Sequence, residues 1–280
     1  MSFMKSLTRL SFFFLVGWML TGCKQSDPED VLGRQGDVVY FSGYTWDVKH
    51  ATFQMGPGPN FFSRRYEDVF VDHNGYLHMR ISNQNGIWFA SEVITREVLG
   101  YGTYIFTLQG DLVNIPENTV VGLFTWSNES FFEQANSEVD IEFAKWGDPD
   151  AGTLHYSVQP VNFGPYYPER SHEAEVDNNA LVGVSTHLFH WTDTLITWKS
   201  YAGDVVDDSK EIASWSFDLD NPPRIKYENG QASQPIVIPA PDEYTNARIN
   251  YWILPHINIA PTDFQEHEIV IRKFEYIPAE

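Results

Sequence analysis

Asn74-Gly75 stands between two runs of alternating apolar residues, Val69-Phe70-Val71 before it and Leu77, Met79 and Ile81 after it. An Asn-Gly pair in that setting closes a tight antiparallel hairpin, because both residues accept the positive φ that the turn requires. A period of two commits the chain to strands with one dry face and one wet face. Comparable runs recur at 101–108, 120–126, 138–146, 153–159, 194–199, 248–254 and 268–277, and no long stretch repeats at 3.6 residues. Many short strands divided by Gly, Pro, Asn and Asp predict an all-β sandwich of two antiparallel sheets. At 42% hydrophobic and 15% aromatic residues, the chain can fill the core of one such domain over 39–280. Residues 204–246, with Asp207-Asp208 and Pro222-Pro223, are the least regular part and read as long surface loops.

Charge narrows the function. Against 38 Asp and Glu stand 18 Lys and Arg, a formal charge of −20, so nucleic acid and sulfated polysaccharides are disfavoured partners. A single cysteine makes no intrachain disulfide, and no Cys/His set has zinc spacing. Residues 1–22 read as an export signal, with Lys5 and Arg9 ahead of an apolar run at 10–20 that is too short to span a bilayer. Leu20-Thr21-Gly22-Cys23 resembles the bacterial lipobox, which makes Cys23 a lipid anchor and residues 23–38 an acidic tether containing Ser26-Asp27-Pro28-Glu29-Asp30. The expected place is the bacterial cell envelope, periplasmic or at the surface, with the body held to a membrane.

The chemistry concentrates in Glu138-Val139-Asp140-Ile141-Glu142-Phe143. On a strand, Glu138, Asp140 and Glu142 share one face while Val139, Ile141 and Phe143 share the other. Like charges so placed disfavour joint ionisation, and one ionised carboxylate beside one protonated carboxyl is what cleavage of a glycosidic bond requires. Four residues of strand separate the Cα atoms of the two glutamates by roughly 13 Å. A retaining mechanism needs carboxyl groups about 5 Å apart, so this reading requires a curved sheet whose side chains converge. A solvated acidic face and a calcium site are the other readings of the same residues.

Flanking segments point further. Asp72-His73-Asn74-Gly75-Tyr76-Leu77-His78-Met79, Ser91-Glu92-Val93-Ile94-Thr95 followed by Gly100-Tyr101-Gly102-Thr103-Tyr104, Gly122-Leu123-Phe124-Thr125-Trp126, Ile196-Thr197-Trp198-Lys199 and Ile249-Asn250-Tyr251-Trp252 follow one another in an order that resembles glycoside hydrolase family 16, nearest its lichenase-like branch. The resemblance implies a jelly-roll sandwich with a substrate cleft across its concave sheet and retention of configuration. It also implies Glu138 as nucleophile, Asp140 as its assistant and Glu142 as acid/base. The expected substrate is a neutral polysaccharide, a β-glucan, cut internally at β-1,3 and/or β-1,4 bonds; no cofactor is expected, and a monomer is the default. Some relatives carry a structural calcium ion away from the cleft, for which no ligand set stands out here.

By position, Trp126, Asn250 and Trp252 are expected to touch sugar, as are His155 and, in the Gly56-Pro57-Gly58-Pro59 loop, Asn60. Trp191 and Trp198 are expected in the core. Two departures from the family pattern stand out. Asn136 occupies a place where a Trp is common, and the 91–95 strand lacks an expected Arg. A glycan-binding lipoprotein without hydrolysis and a transglycosylase therefore stay open beside the hydrolase.

Overall fold

The computed structural model describes residues 34–280 apart from 130–132, 162, 163 and 165. The expected signal peptide, Cys23 and residues 23–33 of the tether lie outside the described residues, as do Phe131 and Phe132. Seventeen strands are described: β1 Arg34–Gln35, β2 Val38–Phe41, β3 Tyr44–Val48, β4 Phe61–Phe62, β5 Val69–Val71, β6 Leu77–Gln84, β7 Ile87–Thr95, β8 Gly102–Asp111 and β9 Thr119–Trp126 in the first half. The second half holds β10 Val139–Ala144, β11 Leu154–Val158, β12 Ser171–Glu173, β13 Val182–Trp191, β14 Leu195–Ala202, β15 Glu211–Asp218, β16 Asn246–Ile253 and β17 His267–Pro278.

Two layers result, as the alternation predicts. The front sheet runs β1-β2-β3-β7-β16-β9-β10-β11-β12, antiparallel at every step. The back sheet runs β5-β6-β17-β8-β13-β14-β15, likewise antiparallel. The β6–β7 hairpin passes from one to the other. The hairpin forms where expected but as a five-residue loop, 72–76, in which Gly75 takes a positive φ of +81° and Asn74 does not; the Gly75 N–H donates to the Asp72 carbonyl, and the Asp72 carboxylate accepts the backbone N–H groups of Asn74 and Tyr76.

The core lies between the layers. Val139, Ile141 and Phe143 of β10 meet Trp191 and Trp198 of the back sheet in one fully buried cluster. Each such side chain contributes about 1.5–3 kcal/mol, and a slip of one residue would drive the carboxylates of β10 into the core, so the register is strongly specified. The Trp198 indole N–H also donates to the Asp140 carbonyl at 2.9 Å, fastening the back sheet to the middle of β10.

Two boundaries differ from expectation. Among the described residues, sheet is present from Arg34, inside the segment assigned to the tether, because 34–41 folds on itself as a short hairpin. Within 204–246, Glu211–Asp218 is an edge strand paired with β14. Ala213, Trp215 and Phe217 alternate there, and the acidic neighbourhood masks their period.

Candidate active site

The outer face of the front sheet carries rows of side chains set by register. Glu142 of β10 pairs with Gly122 of β9, Gly122 with Asn250 of β16, and Asn250 with Glu92 of β7, while His155 of β11 stands on the other side of Glu142. One step along, Ser157, Asp140, Phe124, Arg248 and Ile94 form a second row. These rows floor a groove that crosses the sheet. A half of about 580 Å³ is lined by Lys49, Glu92, Phe124, Trp126, Arg248 and Asn250. The other, about 730 Å³, is lined by Trp146, His155, Gln159, Glu169, His172 and Trp215. Glu138, Glu142, Pro57 and Trp252 border both halves.

Glu138 and Glu142 therefore occupy the waist, with Asp140 between them on the strand and lining the first half. Asp140 is buried and accepts from the Ser157 hydroxyl at 2.7 Å and the Gln159 amide at 3.0 Å. Burial raises its pKa to about 6, although both hydrogen bonds favour the ionised form. Glu138 and Glu142 are half-buried. Desolvation by the groove walls, and then the charge of Asp140, pushes both well above the usual carboxylate range. For Glu138 the charge of Glu142 adds to this, while Arg248 pulls the other way. The protons leave such a set in steps that belong to the group. At neutral pH the site is suited to hold one carboxylate charged and another protonated, the pairing that acid/base chemistry uses.

Asn136 has a local task. Its side-chain oxygen accepts the Glu138 backbone N–H at 3.2 Å, which fixes the entry into β10. Asn136 is itself buried, so the contact holds the backbone at Glu138 just ahead of β10.

Trp126, Asn250 and Trp252 line the groove, as does His155. His155 Nε2 lies 2.9 Å from the Ala144 carbonyl and 3.0 Å from that of Gly152; carbonyls only accept, so this nitrogen donates and Nδ1 is left as an acceptor in the neutral ring. Asn250 is buried, and its Oδ1 finds no hydrogen-bond partner among the described residues. An unpaired buried oxygen on a groove floor fits a donor brought by a ligand. Gly122 makes room for it: a Cβ there would fall 2.5 Å from that oxygen.

Asn60 does not line this groove. Its amide donates to the carbonyls of Pro57 at 2.9 Å and Ile253 at 2.8 Å, and its oxygen accepts the Ile253 N–H at 3.3 Å. All its hydrogen-bonding groups are committed to clamping the 55–60 loop onto the end of β16, which corrects the expectation of a sugar contact. Asn60→Ala should lower stability by about 1–3 kcal/mol in denaturant melts, through the orphaned backbone groups, and leave glycan affinity within about twofold.

Sequence reasoning missed a cationic cluster. Glu92, 1% exposed, sits between Lys49 Nζ at 2.8 Å and an Arg248 guanidinium nitrogen at 3.3 Å. Arg248 of β16 pairs with Ile94, so a cation stands beside the 91–95 strand that carries none of its own. Pairing between strands far apart in sequence hides such a neighbour from any linear motif. Among the described residues, no group of three His, Cys, Asp or Glu is placed to hold a metal ion.

By sequence, no protein family and no curated protein matches the chain. Solved structures do. A protein described as an immunostimulatory antigen and pseudo β-1,3-glucanase of Mycobacterium tuberculosis superposes with a TM-score of 0.61 at 16% identity, over 89% of this chain and 96% of that one. A β-1,3-1,4-glucanase (lichenase) derived from a mouse hindgut metagenome gives 0.54 at 18% identity, over 88% and 98%. The Bacillus licheniformis β-glucanase gives 0.51 at 14%, over 89% and 96%. The chain has the jelly-roll fold of the β-glucanases, and the resemblance to glycoside hydrolase family 16 is borne out at the level of fold.

Proposed function

We propose that this protein is a retaining endo-glycoside hydrolase that cleaves β-1,3 or β-1,4 bonds in a neutral β-glucan, acting at the cell envelope on the lipid anchor expected at Cys23. The observation that carries this reading is the carboxylate pair, Glu138 and Glu142, at the waist of a groove walled by Trp126 on one side and Trp146 and Trp215 on the other, with Trp252 spanning both. Indole faces stack on the apolar faces of sugar rings, while the carboxylates stand where a bond between two bound units would lie. In this mechanism Glu138 attacks the anomeric carbon as Glu142 protonates the departing oxygen. Glu142 then takes a proton from the water that releases the glycosyl-enzyme. Asp140 lies between them, and its charge opposes simultaneous ionisation of both glutamates.

Reducing-end release by the purified protein on mixed-linkage β-glucan, laminarin, xyloglucan and agarose tests the reading. Release from a β-glucan supports it and names the linkage; retention of a glycan in affinity gels without release from any of the four rejects hydrolysis. That second outcome defines the competing reading, a glycan-binding protein on the same fold. One specific observation favours it: the structural neighbour described as a pseudo β-1,3-glucanase.

Gly122→Ala probes the groove floor. The added methyl must displace the Asn250 carboxamide beside Glu142. The expected loss is about 10- to 100-fold in kcat/KM, with the melting temperature nearly unchanged, measured by initial rates and calorimetry on one preparation.

A further inference from the structure

Arg170, the residue before β12, lines neither half of the groove and is 1% exposed. Among the described residues no carboxylate pairs with it, and its contacts are amide oxygens and one ring. Its Nε donates to the Val158 carbonyl at 3.0 Å and its Nη2 to the Gln159 carbonyl at 2.8 Å. The same Nη2 reaches the Gln134 carbonyl, and Nη1 the Gln134 side-chain oxygen, each at 3.4 Å. The guanidinium carbon stands 5.1 Å from the centre of the Phe217 ring. A buried cation without a counter-charge is costly, and an apolar side chain of similar size would fill the same space. What a guanidinium adds is a rigid fork of donors that fixes several carbonyls at once.

Those carbonyls belong to the segments on either side of Glu138. Gln159, at the end of β11, has each of its polar atoms engaged. Its backbone N–H donates to the Glu138 carbonyl at 3.0 Å, its side-chain amide donates to Asp140 Oδ2 at 3.0 Å, and its side-chain oxygen accepts the Val161 N–H at 3.1 Å. On the other side, Gln134 sits in the turn Glu133–Ala135, and Asn136, two residues on, accepts the Glu138 N–H at 3.2 Å. Arg170, Gln159, Glu138 and the 134–136 segment thus close a ring of hydrogen bonds and main chain that holds the Glu138 backbone at both its N–H and its C=O. One further bond, from the Gln159 amide, carries the ring to the Asp140 carboxylate.

We propose that Arg170 is a positioning residue for the carboxylates: by locking Gln159 it fixes the main chain at Glu138 and the orientation of the Asp140 carboxylate together, so that the two keep one relative placement when a glycan enters the groove. The consequence for turnover rests on the hydrolase reading, whereas the ring is a property of the fold. Arg170 acts from behind the groove wall, through Gln159, and touches neither carboxylate itself.

The test compares the full protein with Arg170→Lys, which keeps the charge and loses the fork, and with Gln159→Leu. Because Arg170 has no face in the groove, kcat on a β-glucan should fall about 10- to 100-fold in Arg170→Lys with KM within about twofold. A loss carried by KM instead overturns the proposal. Carboxylate NMR of aspartate-labelled protein, with the Asp140 signal assigned through Asp140→Asn, gives a readout that needs no turnover. The groups around that carboxylate are Glu138 and Glu142 of its own strand and Ser157 and Gln159 of β11. The Gln159 amide favours the ionised form, so its release moves the Asp140 midpoint to higher pH. Arg170→Lys should give that shift at a distance, Gln159→Leu should give it directly, and the double variant should shift no further than Gln159→Leu alone. These shifts support the proposal even if no glycan is cleaved, so its failure is distinguishable from failure of the hydrolase reading. An Asp140 midpoint unchanged in Arg170→Lys overturns it, because an arginine that only fills the core leaves Gln159 in place when shortened. Shifts that add in the double variant overturn it as well, since the effect then bypasses Gln159. Should Arg170→Lys misfold, Arg170→Gln, which removes the unpaired charge and keeps an amide donor, takes its place in both measurements.

Discussion

Glu138→Gln should lower kcat/KM by about 10⁴-fold or more while glycan affinity stays within a few-fold. The amide keeps the shape of the side chain but cannot form the glycosyl ester, so the covalent route closes. The indoles of Trp126, Trp146 and Trp252 that line the groove are untouched, which is why binding should survive. Glu142→Gln should behave differently. Removing a general acid costs about 10²–10⁴-fold on polysaccharide, and much of that loss should return on an aryl glycoside whose leaving group needs no proton. Initial rates on both substrate types, with retention in affinity gels, separate the two roles. If the aryl glycoside rescues Glu138→Gln instead, the assignment of nucleophile and acid is reversed.

The second large effect is on stability. Asp140 has its pKa raised to about 6 from 3.8, a difference of 6 − 3.8 = 2.2. A carboxyl raised in the folded state binds more protons folded than unfolded between those two values, so its contribution is fully present below the unfolded pKa and is lost as pH rises towards 6. At about 1.36 kcal/mol per unit, ionised Asp140 costs the native state on the order of 3 kcal/mol above pH 7. Asp140→Asn keeps an oxygen for Ser157 and Gln159 and removes the charge. Its melting temperature should exceed that of the wild type by about 5–10 °C at pH 8, and the two should converge near pH 4. Glu138 and Glu142 are displaced in the same direction, so their glutamine variants should also gain stability at alkaline pH. Calorimetry across pH 4–8 checks this; a variant no more stable than the wild type at pH 8 would show that the groove does not desolvate Asp140. Gaining stability while losing turnover is the trade expected of a site that keeps like charges together.

The alternation in β6, β10 and β16 and the hairpin at Asn74-Gly75 were legible because they are local: a strand's two faces and a turn are written in consecutive residues. The placement of Glu138, Asp140 and Glu142 on one face followed from the same rule, as did the burial of Val139, Ile141 and Phe143 behind them. Trp191 and Trp198 were read correctly as core, and Trp126 and Trp252, expected to touch sugar, line the groove. The edge strand Glu211–Asp218 was missed because its pairing with β14 overrides an acidic, loop-like composition.

What the tertiary structure decided depends on which strands become neighbours. Asn60 looked like a sugar ligand in its loop, but its polar atoms are taken by Ile253, 193 positions away. Arg248 looked unremarkable in the sequence until β16 set it opposite Ile94, beside Glu92, and over Trp126. A strand's own residues determine which way each side chain faces, so the motif could be read directly. Charge on a carboxylate depends on what other strands bring within a few ångströms and on how much water they exclude, and sheet topology alone determines that.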